Sequence, residues 1–66
     1  MRIMVNGEWL TEEGALTVAQ LLGRLSLEPR RCAVELNKRI IPRARHGETA
    51  LNDNDQLEIV ALVGGG

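Results

Sequence analysis

Arg2-Ile3-Met4-Val5-Asn6-Gly7-Glu8-Trp9-Leu10-Thr11 is the stretch that decides the fold. Two short apolar-rich runs flank Asn6-Gly7. Both of these residues tolerate the positive φ of a type I′ turn, so the stretch reads as a tight β-hairpin. Glu12-Glu13-Gly14 ends the returning strand. Beyond it, Val18, Leu21, Leu22 and Leu25 fall at i, i+3, i+4 and i+7, one face of an α-helix. Thr17 and Gln20 have capping-box spacing, and Leu16 and Leu21 have the spacing of a hydrophobic staple. The predicted helix runs from Val18 to Leu25, with Gly23 on its solvent side and Pro29 forbidding continuation. Cys32-Ala33-Val34-Glu35-Leu36 alternates as a strand with Cys32, Val34 and Leu36 inward. A turn at Asn37-Lys38 leads to a short strand Arg39-Ile40-Ile41, ended by Pro42 and therefore placed at a sheet edge. Arg43 to Thr49 reads as a polar loop. Asn52-Asp53-Asn54-Asp55 is a dense turn, and Gln56 to Leu62 is the last strand, with Leu57, Ile59 and Ala61 on one face. That strand is too far along the chain to form a hairpin with the first. It is expected to lie parallel to it in the middle of the sheet. The expected architecture is α+β, a mixed sheet of four to five strands packed on one helix.

Size and composition bound the function. With 66 residues there is one domain at most. A chain this short has little material for the several walls of a catalytic pocket, so an enzyme in its own right is not expected. Leu, Ile and Val account for 19 residues and the net charge is −1, which argues for a folded chain. The near-neutral charge also argues against nucleic acid, which calls for a surplus of Lys and Arg. Trp9 is the single aromatic residue, too few for a base-stacking platform. No run of 18 apolar residues exists, so no membrane span is expected, and Met1 to Leu10 is too polar for a signal peptide. One cysteine cannot form an internal disulfide, and with a single histidine it cannot complete a metal site. Together these features predict a cytoplasmic protein.

The end of the chain is the most informative candidate. Gly64, Gly65 and Gly66 have no side chains to bury and are entropically costly to order. Residues 1–62 are therefore expected to form the domain and 63–66 a flexible tail, reaching about 13 Å when extended. Such a tail needs only backbone width to enter a partner's channel, and it ends in an unhindered carboxylate. A frayed end is the bland alternative. The second candidate is apolar. If Ile3, Val5 and Leu10 face the helix, Met4 and Trp9 face away from it, and Val60 and Leu62 are out of phase with the inward residues of the last strand. These four are expected to form one partner-binding patch at the root of the tail. Cys32 reads as a small core residue and His46 as a solvated loop residue. Asp53, Asp55, Glu58 and Glu35 could form an acidic flank for a basic partner, or simply charged turns and strand exteriors. The pairs Arg30-Arg31 and Arg43/Arg45 are too sparse for nucleic acid. The glycine run is no phosphate loop, since no helix follows it.

The order of these pieces resembles the ubiquitin-like β-grasp superfamily and, within it, the sulfur-carrier proteins of thiamine thiazole biosynthesis. The resemblance rests on Ile3-Met4-Val5-Asn6-Gly7-Glu8, Thr17-Val18-Ala19-Gln20-Leu21-Leu22 and Val34-Glu35-Leu36-Asn37-Lys38-Arg39-Ile40-Ile41-Pro42-Arg43. It continues through Asn54-Asp55-Gln56-Leu57-Glu58-Ile59-Val60 to Val63-Gly64-Gly65-Gly66, covering the whole chain. It implies that the Gly66 carboxylate is adenylated with ATP by an enzyme related to ubiquitin-activating enzymes. A persulfide donor would convert the adenylate to a thiocarboxylate, and thiazole synthase would accept the sulfur. Val63, Gly64 and Gly65 would enter the partner's active site. The chain would bind no cofactor itself and would be a monomer when free. The small subunit of molybdopterin synthase shares the fold and the Gly-Gly end but commonly approaches its tail through prolines, which Val60-Ala61-Leu62-Val63 lacks. A lysine-conjugating modifier and a binding module with an inert tail are the remaining alternatives.

Overall fold

The computed structural model describes residues 1–62, and the expectations placed on Val63, Gly64, Gly65 and Gly66 lie outside the described residues. The hairpin is formed by β1 (Arg2–Val5) and β2 (Glu8–Thr11), with Ile3 opposite Leu10, Met4 opposite Trp9 and Val5 opposite Glu8. Asn6 and Gly7 take φ of 50° and 85°, the positive values that the turn demands. The helix α1 (Val18–Arg24) begins with the predicted capping box. The Thr17 hydroxyl accepts the Gln20 N–H at 3.2 Å, and the Gln20 side-chain oxygen accepts the Thr17 N–H at 2.8 Å. Leu16 and Leu21 are both buried, as a staple requires.

The helix ends earlier, and for a different reason, than Pro29 suggests. Ser26 is left-handed (φ 59°). Its N–H donates to the Gly23 carbonyl, and the Leu27 N–H donates to the Leu22 carbonyl. That is a Schellman motif with serine where glycine is usual. Leu25 is consequently the cap rather than part of the buried face, and Pro29 opens a 3₁₀ turn, Pro29–Arg31.

Three further strands follow: β3 (Cys32–Leu36), β4 (Arg39–Ile41) and β5 (Gln56–Ala61). The sheet order is β2-β1-β5-β3-β4. β5 runs parallel to β1 and antiparallel to β3, so the last strand occupies the centre and β4 an edge, as read from the sequence. The side chain of Asn6 fastens the parallel pair. It donates to the Ile59 carbonyl at 3.0 Å and accepts the Ile59 N–H at 2.7 Å.

One face of the sheet packs on α1. Ile3, Val5, Val34, Leu57 and Ile59 meet Leu16, Val18, Leu21 and Leu22, with Leu51 completing the core. Each fully buried aliphatic side chain contributes about 1.5–3 kcal/mol relative to exposure. Leu51 gives no periodic signal in the sequence. It is drawn in because residues 49–51 pair with 16–18: Val18 N–H donates to the Thr49 carbonyl and Leu51 N–H to the Leu16 carbonyl, both at 2.9 Å.

The segment read as a polar loop is a 3₁₀ helix, Arg43–Glu48, and His46 within it is only 3% exposed rather than solvated. The reason is geometric. The helix lies against α1, and of its six residues His46 alone is buried. Its Nε2 lies 3.0 Å from the Ile41 carbonyl oxygen, which can only accept, so Nε2 carries the hydrogen. Nδ1 is buried without a partner.

Candidate functional site

The site is built around the end of β5, where the described chain stops. Leu62 N–H donates to the Arg31 carbonyl at 2.7 Å, so the exit of the last strand is pinned beside the entry of β3. Cys32 stands directly across from Ala61. It is half-buried and packs against the core, which agrees with its reading as a small core residue. Between the end of α1 and this exit lies an open groove of about 520 Å³, lined by Leu27, Glu28, Arg31, Cys32 and Leu62 among others. Gly66, proposed from sequence as the reacting residue, lies outside the described residues together with Val63, Gly64 and Gly65.

The outward face of the sheet, opposite α1, carries Met4, Trp9 and Val60 of the apolar residues singled out from the sequence, while Leu62 lies just past the end of β5 and lines the groove. Met4 and Trp9 are cross-strand neighbours on that face. The Arg2 guanidinium sits 4.0 Å from the centroid of the Trp9 ring, a cation–π contact, and Trp9 remains 43% exposed with it in place. Val60 and Leu62 are each 58% exposed.

The four do not form one contiguous patch. Met4 lies beside Gln56 in the parallel pairing, so Val60 is four residues further along β5. At about 3.3 Å per residue this is ~13 Å. Glu58, exposed and on the same face, stands between them. Sequence alternation assigns the face correctly, but the register of a parallel pair is not readable from alternation. The result is an apolar pair at the hairpin side, Met4 and Trp9, and a second at the chain exit, Val60 and Leu62. Ile40 on the edge strand, 69% exposed, is a further outward apolar residue that the sequence reading did not single out.

The expected acidic flank also divides. Asp53 and Asp55 organise turns. Asp53 accepts the Arg2 N–H at 2.7 Å, and Asp55 accepts from the Asn52 N–H and from the Asn37 side chain. Glu35 and Glu58 do neither. They face each other directly across β3 and β5 on the outward face.

The described residues hold no group of three or more His, Cys, Asp or Glu placed for a metal ion. No helix among them is long and apolar enough to cross a membrane. Nothing in this arrangement pairs a nucleophile with a base. What the described residues present is an outward sheet face with exposed apolar side chains, a groove, and the chain exit beside that groove.

The model of the ThiS family matches residues 2–66. The sulfur carrier protein ThiS of Bacillus subtilis is 40% identical over 67 aligned positions, spanning 97% of this chain and 98% of its own length. A thiazole synthase of Paramagnetospirillum magneticum is 44% identical over 66 residues, which is all of this chain but only 20% of that protein. This chain thus spans about a fifth of the length of the synthase it resembles. The crystal structure of a thiamine biosynthesis protein, ThiS, from Geobacter metallireducens superposes with a TM-score of 0.85 at 33% identity, covering all of both chains.

Proposed function

The chain belongs to the ThiS family, and from that premise we propose that it is a sulfur carrier of thiamine biosynthesis acting through the carboxylate of Gly66. The observation that carries this reading is the family match across residues 2–66, which runs from the first strand through all three closing glycines. The end-to-end similarity to the carrier protein of Bacillus subtilis supports it.

The chemistry explains why a chain without catalytic groups suffices. A carboxylate is a poor electrophile until one oxygen becomes part of a good leaving group. In the proposed sequence an adenylyltransferase related to ubiquitin-activating enzymes joins a Gly66 carboxylate oxygen to the α-phosphorus of ATP, and pyrophosphate leaves. The terminal sulfur of a persulfide then attacks the carbonyl carbon and AMP leaves. A second thiol cleaves the S–S bond, so that the thiols end as a disulfide and Gly66 as a thiocarboxylate. Thiazole synthase then takes the sulfur.

Glycine at this position puts no side chain in the way of attack. Gly64 and Gly65 let Val63–Gly66 thread a narrow channel. ATP belongs to the activating enzyme, and the carrier is its co-substrate, with no cofactor of its own. The reaction calls for ATP and free thiols, which the cytoplasm supplies. Docking falls to the outward sheet face, through Met4 and Trp9 at one side and Val60 and Leu62 at the other.

Intact mass tests the reading. The untagged protein is incubated with ATP, cysteine and a desalted extract of its source cell. The expected result is a gain equal to sulfur minus oxygen, localised to Gly66 and absent without ATP. No gain, in an extract that thiolates a known carrier, overturns it in favour of a conjugating modifier or an inert binding module. The same spectrum establishes whether Gly66 is the free terminus that the chemistry requires.

A further inference from the structure

Glu35 and Glu58 face each other across the two central strands of an uncovered sheet face. Carboxylates directly opposite on one face of an antiparallel pair have Cβ atoms only about 5 Å apart, and like charges there destabilise the sheet. No ion pair among the described residues engages either carboxylate. The described ion pairs are Arg24 with Glu12 and Arg45 with Glu48. Lys38 lines the same shallow depression, of about 320 Å³, without pairing with either carboxylate. Asn37 and Gln56 complete the lining of the depression, and two exposed aliphatic residues flank it: Ile40 opposite Glu35 on β4, and Val60 two residues beyond Glu58 on β5. This part of the face is therefore a pair of opposed carboxylates with no ion-pair partner among the described residues, in a polar depression flanked by exposed Ile40 and Val60, and is complementary to a cation whose surroundings are partly apolar.

We propose that this face docks on thiazole synthase, and that Glu35 and Glu58 together receive an arginine or lysine side chain of the synthase. The choice of occupant rests on the carrier reading above and on one further observation: a segment similar to this whole chain forms a fifth of a thiazole synthase in Paramagnetospirillum magneticum, so the two kinds of protein occur joined in one chain. A guanidinium spans two carboxylates with its fork of donors, and the flanking Ile40 and Val60 exclude water from the contact. The repulsion carried by the free chain is relieved on docking, so the pair contributes to association and opposes stability in the unbound state.

The test is titration calorimetry of the full chain against thiazole synthase from the same genome, at two ionic strengths. It compares the natural sequence with Glu35→Gln, Glu58→Gln and the double variant. The double variant should bind about tenfold more weakly or worse, with a flatter salt dependence, as expected when a contacting charge pair is removed. Its melting midpoint should equal or exceed that of the natural chain, because the opposed charges are gone. Natural affinity with an unchanged salt slope overturns the proposal, and so does a natural chain that fails to bind the synthase. The two single variants, each isosteric with glutamate, keep the test decisive should the double variant misfold. The Gly66 mass gain separates the two readings. A chain that gains sulfur but binds the synthase regardless of Glu35 and Glu58 refutes only the docking proposal. A chain that binds through the pair but gains no sulfur refutes only the carrier chemistry.

Discussion

Asn6 does two things, one with its backbone and one with its side chain. Its backbone supplies the first left-handed residue of the hairpin turn, and its amide closes two hydrogen bonds to Ile59, 53 positions away. The first role is legible in the Asn-Gly dipeptide. The second is not, because it exists only once β5 lies beside β1. Asn6→Ala should therefore cost more than a turn residue alone, about 2–3 kcal/mol from two part-buried hydrogen bonds and an unfavourable φ. Urea denaturation followed by Trp9 fluorescence measures this, and a loss below about 0.5 kcal/mol would mean that water replaces the bridge without cost. Trp9 is the opposite case. Its ring is half-exposed and carries a cation–π contact from the Arg2 guanidinium, worth about 0.5–1 kcal/mol at an exposed site. Trp9→Ala should cost less than about 2 kcal/mol, against 3–5 for a core aromatic, while weakening partner binding by a larger factor. A stability loss in the core range would contradict a docking role.

At the scale of elements, the seven-residue α1 is too short to hold by propensity and depends on its ends and its packing. The start is written locally: Thr17 and Gln20 cap, Leu16 and Leu21 staple. The stop is set by Ser26 in a conformation that glycine adopts without strain. Ser26→Gly should raise stability by about 0.5–1 kcal/mol, the left-handed strain relieved less the entropy glycine loses on folding. A thermal melt that falls instead would show that the serine side chain makes a contact of greater worth. The 3₁₀ helix Arg43–Glu48 escaped the sequence reading because it has only one inward residue, and that residue is a histidine among polar neighbours. A single buried polar side chain leaves no periodic trace, and only its packing against α1 marks it as interior.

At the scale of the whole molecule, every buried core residue among the described residues falls from Ile3 to Ile59. Deleting Gly66, or replacing Gly65 with tryptophan, should leave the melting midpoint unchanged and abolish adenylation by the activating enzyme. A cooperative loss of fold in either variant would contradict the division into a domain of residues 1–62 and a tail of 63–66. The arrangement separates two tasks. The helix side of the sheet supplies stability, and the outward face is free to carry an opposed charge pair and exposed aliphatic residues that a self-contained fold would not select.

The strands, their order in the chain, the hairpin register, the helix and its cap were all determined by local sequence, because turn chemistry and side-chain periodicity act over a few residues. The central place of the last strand also followed, since a distant strand has no hairpin route back to the first. Three things were decided only by tertiary structure. The parallel register of β1 and β5 parted Met4 and Trp9 from Val60 and Leu62. The packing of Arg43–Glu48 on α1 buried His46. The antiparallel register of β3 and β5 set Glu35 against Glu58. Each depends on which residue of one segment meets which residue of another many positions away. Local propensity is blind to that choice, and burial of the shared core makes it.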